Sequence, residues 1–275
     1  MRLCLYSLLA TWLLLQPSYG DDVWNKDLKK AFESAQKNKK PVVLKFTATW
    51  CGTCTQMHKG PLADKGIRRS LKSLNAIALD VDQYKALTKR YRIQGLPTLL
   101  FMSPSGVIFK RTELFVKKDT LKTLLSKAEK ESKAIEAELS KLKTAAQANP
   151  EEREALAKFF TKHENLEEAA QVYQTILKDT KIGAHPRQKA GIRAIDSYYR
   201  IEQFDKAIKA VEVTVKLNPY DALAGHALFL KGFVYEAQEK TAKAKSIYEG
   251  VVKNFAKSRS AKAAAGRLKE LRGQK

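Results

Sequence analysis

The chain has 275 residues, a formal net charge of +22, and 44% hydrophobic residues with few glycines and prolines. This composition excludes a wholly disordered chain, and the length suffices for two ordinary domains. The basic residues are scattered and form no nucleic-acid motif, so we expect no nucleic-acid partner. Contact with acidic proteins or with an anionic membrane surface fits the charge.

Residues 1–20 have the pattern of a secretory signal peptide. An arginine precedes an apolar stretch from Leu3 to Leu15, and small residues at Ser18 and Gly20 mark a cleavage site. We therefore expect the mature chain to begin at Asp21, in the periplasm or another extracytoplasmic compartment. The apolar stretch is short for a membrane span, which needs about 20 residues. An uncleaved membrane anchor is the alternative.

Residues 21–128 are predicted to alternate helices with short, apolar, β-branched strands. In chain order we expect helices at 21–38, directly after Cys51, at 86–91 and from a cap at Asp119, and strands at 42–47, 76–81, 98–102 and 107–109. Short connections between such alternating elements predict an α/β domain with a central mixed sheet.

Residues 129–149 continue the helical pattern with a thin apolar stripe. We interpret them as a helical linker or as an extension of the preceding helix. The dipeptide Asn149-Pro150 marks the next boundary.

Residues 150–275 contain an internal repeat. The segments beginning at Glu164, Glu202 and Glu239 align at spacings of 38 and 37 residues, and each carries an alanine five positions later. Each unit is predicted to be a helix, a turn and a second helix, and about three units with a C-terminal cap would form a stable array. An unrelated helical bundle is the alternative.

These units resemble tetratricopeptide repeats, although their period exceeds the usual one and the family's tryptophan is missing. The resemblance implies an all-α solenoid that binds a protein or peptide.

The predicted mature chain retains two cysteines, Cys51 and Cys54, separated by Gly52 and Thr53 and preceded by Trp50. Such a pair closes too small a loop to stabilise a fold, so we expect thiol chemistry instead. At a helix N-terminus the macrodipole favours a thiolate. Cys51 would attack a substrate disulfide and Cys54 would resolve the mixed disulfide. Gly52 and Thr53 keep the turn small, and Trp50 supplies a flat apolar surface.

A zinc site is the alternative use of a C-x-x-C pair. His58 extends the pattern to three ligands, but a fourth ligand has no nearby candidate. We therefore expect neither a metal nor another cofactor.

The segment 48–54, followed by Gly95-Leu96-Pro97-Thr98, resembles the thioredoxin fold. Residues 21–130 look most like the C-terminal thioredoxin-like domain of DsbD-type thiol–disulfide interchange proteins. This resemblance implies that Pro97 is cis and packs against the cysteine pair. It also implies that the backbone of Leu96 hydrogen-bonds an extended substrate.

Two positions depart from the pattern of those families. Lys45 occupies the place of a buried aspartate that helps to move the proton of the second cysteine, and His58 occupies the place of an acid in the DsbD-like domains. We hypothesise that one of them replaces the missing carboxylate and shifts the reduction potential in the oxidising direction. Alternatively, Lys45 extends to solvent and His58 is an ordinary surface residue.

The sequence therefore predicts an exported thiol–disulfide oxidoreductase that exchanges disulfides with protein substrates. Its redox partner would be a thiol protein that donates or accepts electrons, and the repeats would recruit a protein or peptide. The direction of the reaction stays open, because reductases, oxidases and isomerases share this fold. A non-catalytic scaffold of the cell envelope is the alternative.

Overall fold

A computed structural model describes residues 23–273, and the predicted signal peptide lies outside the described residues. No helix within this range is long and apolar enough to cross a membrane. An α/β region comes first in the chain and is followed by a series of paired helices.

The α/β region contains a sheet with helices on its two faces. Its elements in chain order are α1 (Leu28–Asn38), β1 (Val42–Thr47), α2 (Gly52–Lys59), α3 (Lys65–Lys72), β2 (Asn75–Asp80), α4 (Lys85–Arg90), β3 (Thr98–Met102) and β4 (Ile108–Glu113). The strand order is β2-β1-β3-β4. Strand β1 runs parallel to β2 and antiparallel to β3, and β3 pairs antiparallel with β4. The predicted mixed sheet is confirmed.

Side chains of the central strand β1 alternate between two hydrophobic cores, as the pleat requires. Leu44 and Phe46 pack with Ala31 and Ala35 of α1 on one face of the sheet. Val43 faces the other way and shares a core with Met57 of α2. Helix α2, which follows the first cysteine, therefore lies on the Val43 face.

The first predicted helix begins later than expected, at Leu28. The carboxylate of Asp27 accepts a hydrogen bond from the backbone N–H of Lys30 at 3.0 Å, which is the geometry of an N-cap. Before this cap Asn25 forms a parallel bridge with Ile77 of β2. Pairing with the sheet thus replaces the first turns of the predicted helix.

Helix α3 was absent from the sequence prediction. The chain leaves α2 at Gly60, passes through a 3-10 turn at Pro61–Ala63, and restarts at a cap on Asp64, whose carboxylate accepts from Gly66 and Ile67. Strand β4 extends beyond the predicted end at residue 109, because its later residues are polar and lack the apolar signal of a buried strand.

Helix α5 (Lys118–Ala148) joins the two regions as one continuous element of 31 residues. Asp119 lies in its first turn, and Lys117 is the N-cap residue, so the predicted cap at Asp119 is wrong. Residues 129–148 form its C-terminal part, and Leu139 and Ala146 pack into the core of the paired helices. This stretch is therefore an extension of the helix.

The paired helices confirm the predicted helix–turn–helix units. They are α6 (Arg153–Lys162) with α7 (Leu166–Lys178), α8 (Ala184–Arg200) with α9 (Phe204–Leu217), and α10 (Ala222–Ala237) with α11 (Thr241–Asn254), followed by α12 (Arg259–Gly273). The aligned alanines of the three units are completely buried where their helices meet: Ala169, Ala207 and Ala244.

The three units share one turn geometry. Glu164, Glu202 and Glu239 all adopt left-handed backbone conformations with φ between 57° and 59°. The residue after each glutamate donates its N–H to a carbonyl five positions earlier, at 2.9 Å in all three units. These glutamates occupy equivalent positions in the aligned segments. The same backbone turn therefore recurs in all three units.

The first unit contacts the start of the edge strand β4. Asn165 accepts from the N–H of Ile108 at 3.0 Å and donates to the carbonyl of Gly106 at 2.9 Å. Nδ1 of His163 lies 2.8 Å from the carbonyl oxygen of Ile108. An unpaired edge strand invites unwanted association, and these contacts satisfy backbone groups at the start of β4 within the chain.

Candidate active site

Cys51 and Cys54 form a disulfide with an S–S distance of 2.09 Å. Strand β1 ends at Thr47, and Cys51 is the N-cap residue of α2, where its sulfur accepts the N–H of Cys54 at 3.1 Å. After reduction, this N–H and the helix dipole favour a thiolate on Cys51. Among residues 23–273, no group of three or more His, Cys, Asp or Glu side chains could hold a metal ion.

The indole of Trp50 stands beside the disulfide and is 67% exposed. Its Nε1 donates to Oδ2 of Asp82, just beyond the end of β2, at 2.8 Å. This bond fixes the ring as a flat surface next to Cys51, whereas Cys51 and Cys54 themselves are buried. A substrate must therefore approach the disulfide along the groove beside it.

A groove of about 420 Å³ runs past the disulfide. One side is formed by residues 50–53, which include Gly52 and Thr53, and the other by Val81, Thr88 and residues 93–96. Leu96 packs against the cluster formed by Ala48, Cys51 and Cys54, and the peptide bond between Leu96 and Pro97 is cis. The structure thus brings the predicted Cys51, Cys54, Leu96 and Pro97 together at one place.

Lys45 is buried on the β1 face that packs against α2. Its residue exposure is 7%, and its Nζ lies 4.4 Å from the centre of the Trp24 ring. A cation over an indole face is stabilised by the ring quadrupole. The alternative in which Lys45 extends to solvent is therefore wrong. His58 is half-buried in the last turn of α2.

Comparison with known proteins agrees with this geometry. A thioredoxin family model matches residues 23–127. Thioredoxin H1 of Arabidopsis thaliana is 33% identical over 107 residues, which cover 38% of this chain and 85% of that protein. The chain belongs to the thioredoxin family.

Further similarities fall in the same region and in the repeats. Thioredoxin-1 of Drosophila melanogaster is 36% identical over 77 residues, covering 28% of this chain and 67% of that protein. The reduced C-terminal domain of Neisseria meningitidis DsbD is 28% identical, with a TM-score of 0.33, covering 37% of this chain and 93% of that one. A tetratricopeptide repeat model matches residues 226–258, which include most of α10 and α11.

Family membership and the Cys51–Cys54 disulfide identify the protein as a thiol–disulfide oxidoreductase. A thioredoxin fold joined to tetratricopeptide repeats is the architecture that the sequence predicted. The interpretation as a non-catalytic scaffold accounts for neither the disulfide nor the open groove beside it.

The sequence analysis did not predict several residues in or near the groove beside the disulfide. Val81 follows β2, Thr88 lies on α4, and Ile93 lies in the loop after α4. Leu114 is 57% exposed, and its side chain covers Gly95 so closely that a Cβ there would lie 3.2 Å from Leu114 Cδ2. No local motif marks these positions, because they reach the groove only when the sheet assembles.

Proposed function

We propose that this protein is an exported enzyme that exchanges disulfides with protein substrates through Cys51 and Cys54, while its repeats recruit a protein partner. The observation that carries the proposal is the Cys51–Cys54 disulfide at the N-terminus of α2, beside a groove that is lined in part by Leu96, the residue before cis-Pro97. The groove is open to an extended chain, and Trp50 and Leu114 add exposed apolar surface near it.

In the reductive direction, the thiolate of Cys51 attacks one sulfur of a substrate disulfide. A Cys51–substrate disulfide forms, and the other substrate sulfur leaves as a thiolate that takes up a proton. Cys54 then loses its proton and attacks the sulfur of Cys51. The second substrate thiol is released, and the Cys51–Cys54 disulfide of the structure is regenerated. A dithiol protein must reduce that disulfide again before the next turnover.

The oxidative direction uses the same atoms in reverse order. A substrate thiolate attacks the Cys51–Cys54 disulfide, and the second substrate thiol resolves the mixed intermediate. A partner protein in its disulfide form must then accept the two electrons, so that its own disulfide is reduced to two thiols and the Cys51–Cys54 disulfide is restored. The reduction potential of the pair distinguishes the two directions. Thioredoxin lies near −270 mV and DsbA near −120 mV.

Insulin reduction by the mature chain, residues 21–275, with dithiothreitol as electron donor tests the proposal. We expect wild-type protein to accelerate precipitation of the insulin B chain and Cys51→Ser to return the rate to that of dithiothreitol alone. Equal rates for the two proteins would falsify the proposed activity on protein disulfides.

The export part of the proposal rests on residues 1–20 and on the two cysteines that remain after cleavage. Expression of the full chain followed by N-terminal sequencing of the exported product tests it. The expected first residue is Asp21. A membrane-bound product that retains residues 1–20 would instead show an uncleaved anchor.

A cavity of about 750 Å³ between the first and second repeats supports the recruitment of a partner. Its apolar lining includes Tyr173, Ile176 and Leu223, and charged side chains of both signs adjoin them: Lys181, Lys189, Arg193, Glu151 and Glu154. A cavity with this lining suits an apolar side chain of a peptide that also carries polar groups.

Trapping with Cys54→Ser tests recruitment, because this variant cannot resolve its mixed disulfides. We expect Leu223→Asp, added to Cys54→Ser, to lower the yield of trapped client while insulin reduction by Leu223→Asp alone stays at the wild-type rate. An unchanged yield of trapped client would show that this cavity does not recruit the client.

A further inference from the structure

One wall of the active-site groove also faces the repeats. Helix α4 contributes Thr88 to the groove, and residues 93–96 after it continue the wall as far as the cis peptide. The end of the same helix presents Lys89 and Arg90 to the repeat region. The substrate groove and the first repeat are therefore separated by a single short segment.

Arg90 is held by two glutamates of α7. Its Nη1 lies 3.0 Å from Oε2 of Glu167, and its Nη2 donates to Oε1 of Glu168 at 2.6 Å. The side chain of Glu167 is 15% exposed and that of Arg90 is 37% exposed. The planar guanidinium binds both carboxylates at once, which fixes its orientation better than a single point charge would.

A second arginine ties the next residue to the same repeat. Nη2 of Arg111 on β4 donates to the carbonyl of Tyr91 at 2.8 Å and lies 2.9 Å from Oε2 of Glu164. The side chain of Arg111 is 16% exposed. The carbonyl of Tyr91, the residue after Arg90, is thus held by a side chain that also pairs with the first repeat.

The segment held in this way begins with a left-handed turn at the end of α4. Arg92 has a φ of 50°, and the N–H of Ile93 donates to the carbonyl of Thr88 at 2.9 Å, which is the turn geometry also found at Glu164, Glu202 and Glu239. At Arg92 the chain turns from α4 towards Leu96 and Pro97. The turn forms locally, and Arg90 and Arg111 attach it to the first repeat.

We propose that Arg90 is a positioning residue for protein substrates, and that the first repeat, through Glu167 and Glu168, fixes the groove wall at residues 91–96. This inference rests on the proposed exchange with protein disulfides. A fixed wall presents the Leu96 backbone to an extended substrate in one conformation, so less conformational freedom is lost on binding. Without Arg90, the wall becomes mobile and protein substrates bind more weakly, while the sulfur chemistry at Cys51 is unchanged.

The test compares Arg90→Ala with Lys89→Ala as a matched control. Lys89 pairs with Glu202 at 2.6 Å, but both side chains are about half exposed, and exposed pairs contribute little. We expect Arg90→Ala to raise the KM for insulin about fivefold to tenfold, with kcat, the reduction potential and the rate of reaction with a small aromatic disulfide unchanged. Lys89→Ala should resemble wild type in all four measurements.

Two further variants separate positioning from loss of folding. Arg90→Lys should recover part of the KM, and the charge exchange of Arg90→Glu with Glu168→Arg should recover more than either single change. Equal KM values for Arg90→Ala and Lys89→Ala would overturn the inference. So would a parallel loss of insulin and small-disulfide activity that Arg90→Lys does not relieve.

Hydrogen exchange tests whether Arg90 holds the groove wall independently of whether the protein reduces insulin. If wild-type protein fails to reduce insulin, the proposed function fails, but exchange of the amides of residues 91–96 still reports on the wall. We expect faster exchange there in Arg90→Ala than in Lys89→Ala. Equal exchange in the two variants would show that Arg90 does not hold the wall.

Discussion

The thioredoxin domain and the repeats use their residues in different ways. The thioredoxin domain gathers residues from the loop after β1, α2, the end of β2, α4 and the loop before β3 around one disulfide. The repeats reproduce one local geometry three times, with a buried alanine and a left-handed glutamate in each unit. The redox site therefore depends on contacts between residues that are far apart in the sequence. The repeat array depends instead on contacts between residues close in sequence, and these contacts recur in each unit.

The first repeat differs from the other two in what its turn contacts. Asn165 binds the edge of β4, whereas the equivalent Gln203 donates to Glu167 of the neighbouring repeat and Lys240 contacts Gln238 within its own turn. The same backbone turn thus carries a side chain that contacts the sheet in the first unit and other parts of the repeat array in the second and third. This difference shows that an array of similar units can specialise through one side chain in a turn.

The largest expected effect is a loss of stability in the repeats, caused by Gly232→Ala. A methyl group at this position would lie 2.1 Å from Cε1 of the completely buried Tyr248, and overpacking of this kind costs about 1–3 kcal/mol or more. Thermal unfolding followed by circular dichroism should show a lower midpoint. Insulin reduction at 25 °C should keep the wild-type rate.

Gly250→Ala is the matched control for that change. Gly250 lies within α11 with no atom within 4 Å of an added Cβ, so alanine should be neutral or stabilise by up to about 1 kcal/mol. If both variants lowered the midpoint equally, the close approach of Gly232 to Tyr248 would not be the cause.

The attachment between the two regions is tested by Asn165→Ala. This change removes two hydrogen bonds at a buried site and leaves the N–H of Ile108 without its partner, at a cost of about 1–3 kcal/mol. Urea unfolding should show a lower midpoint. Lys240→Ala, at the equivalent position of the third repeat, should leave the midpoint unchanged, and a similar loss in both variants would contradict this account.

The redox chemistry is tested by Lys45→Asp and His58→Glu. A cation on the face of β1 below α2 favours the thiolates of the reduced pair, which raises the reduction potential. We expect Lys45→Asp to lower the potential by about 30 mV, a tenfold change in the exchange constant, as measured against dithiothreitol redox buffers. His58→Glu should act in the same direction but less, because His58 is half-buried.

Lys29→Asp supplies the control for net charge, since Lys29 is exposed on α1, on the other face of the sheet. Its potential should equal that of wild type. Unchanged potentials in both Lys45→Asp and His58→Glu would reject the hypothesis that these residues replace the missing carboxylate.

The smallest expected effect concerns acid stability of the thioredoxin domain. The hydrogen bond from Lys118 and the backbone N–H of Ile67 lower the pKa of Asp64 from 3.8 to about 2. Because the folded pKa is lower than the unfolded one, this carboxylate stabilises the fold above pH 4 and loses its effect as the pH falls towards 2.

Asp64→Asn should therefore lower the thermal midpoint slightly at pH 7, and the difference from wild type should disappear near pH 2. Asparagine remains a good N-cap, so the comparison isolates the charge that pairs with Lys118. A difference that persisted unchanged to pH 2 would exclude the lowered pKa as its origin.

Features that depend on residues close together in the chain could be predicted from the sequence. Strands β1 and β3 lie where the apolar runs at 42–47 and 98–102 predicted them. The repeat units appear at the predicted spacing, because turn residues and helical periodicity are local signals. The role of Cys51 and Cys54 followed from their spacing, their number and the strand before them.

Features that depend on residues far apart in the chain could not be predicted from local patterns and emerge when the elements pack together. The tertiary structure buried Lys45 against Trp24, placed Thr88 and Ile93 beside the disulfide, and joined Asn165 to an edge strand 57 residues earlier in the chain. A polar residue in a turn carries the same local pattern whether its side chain meets water, its own repeat or a sheet. Only the packing of the helices against the sheet selects among these partners, because that packing alone sets which polar groups lose their water and must find a hydrogen bond within the protein.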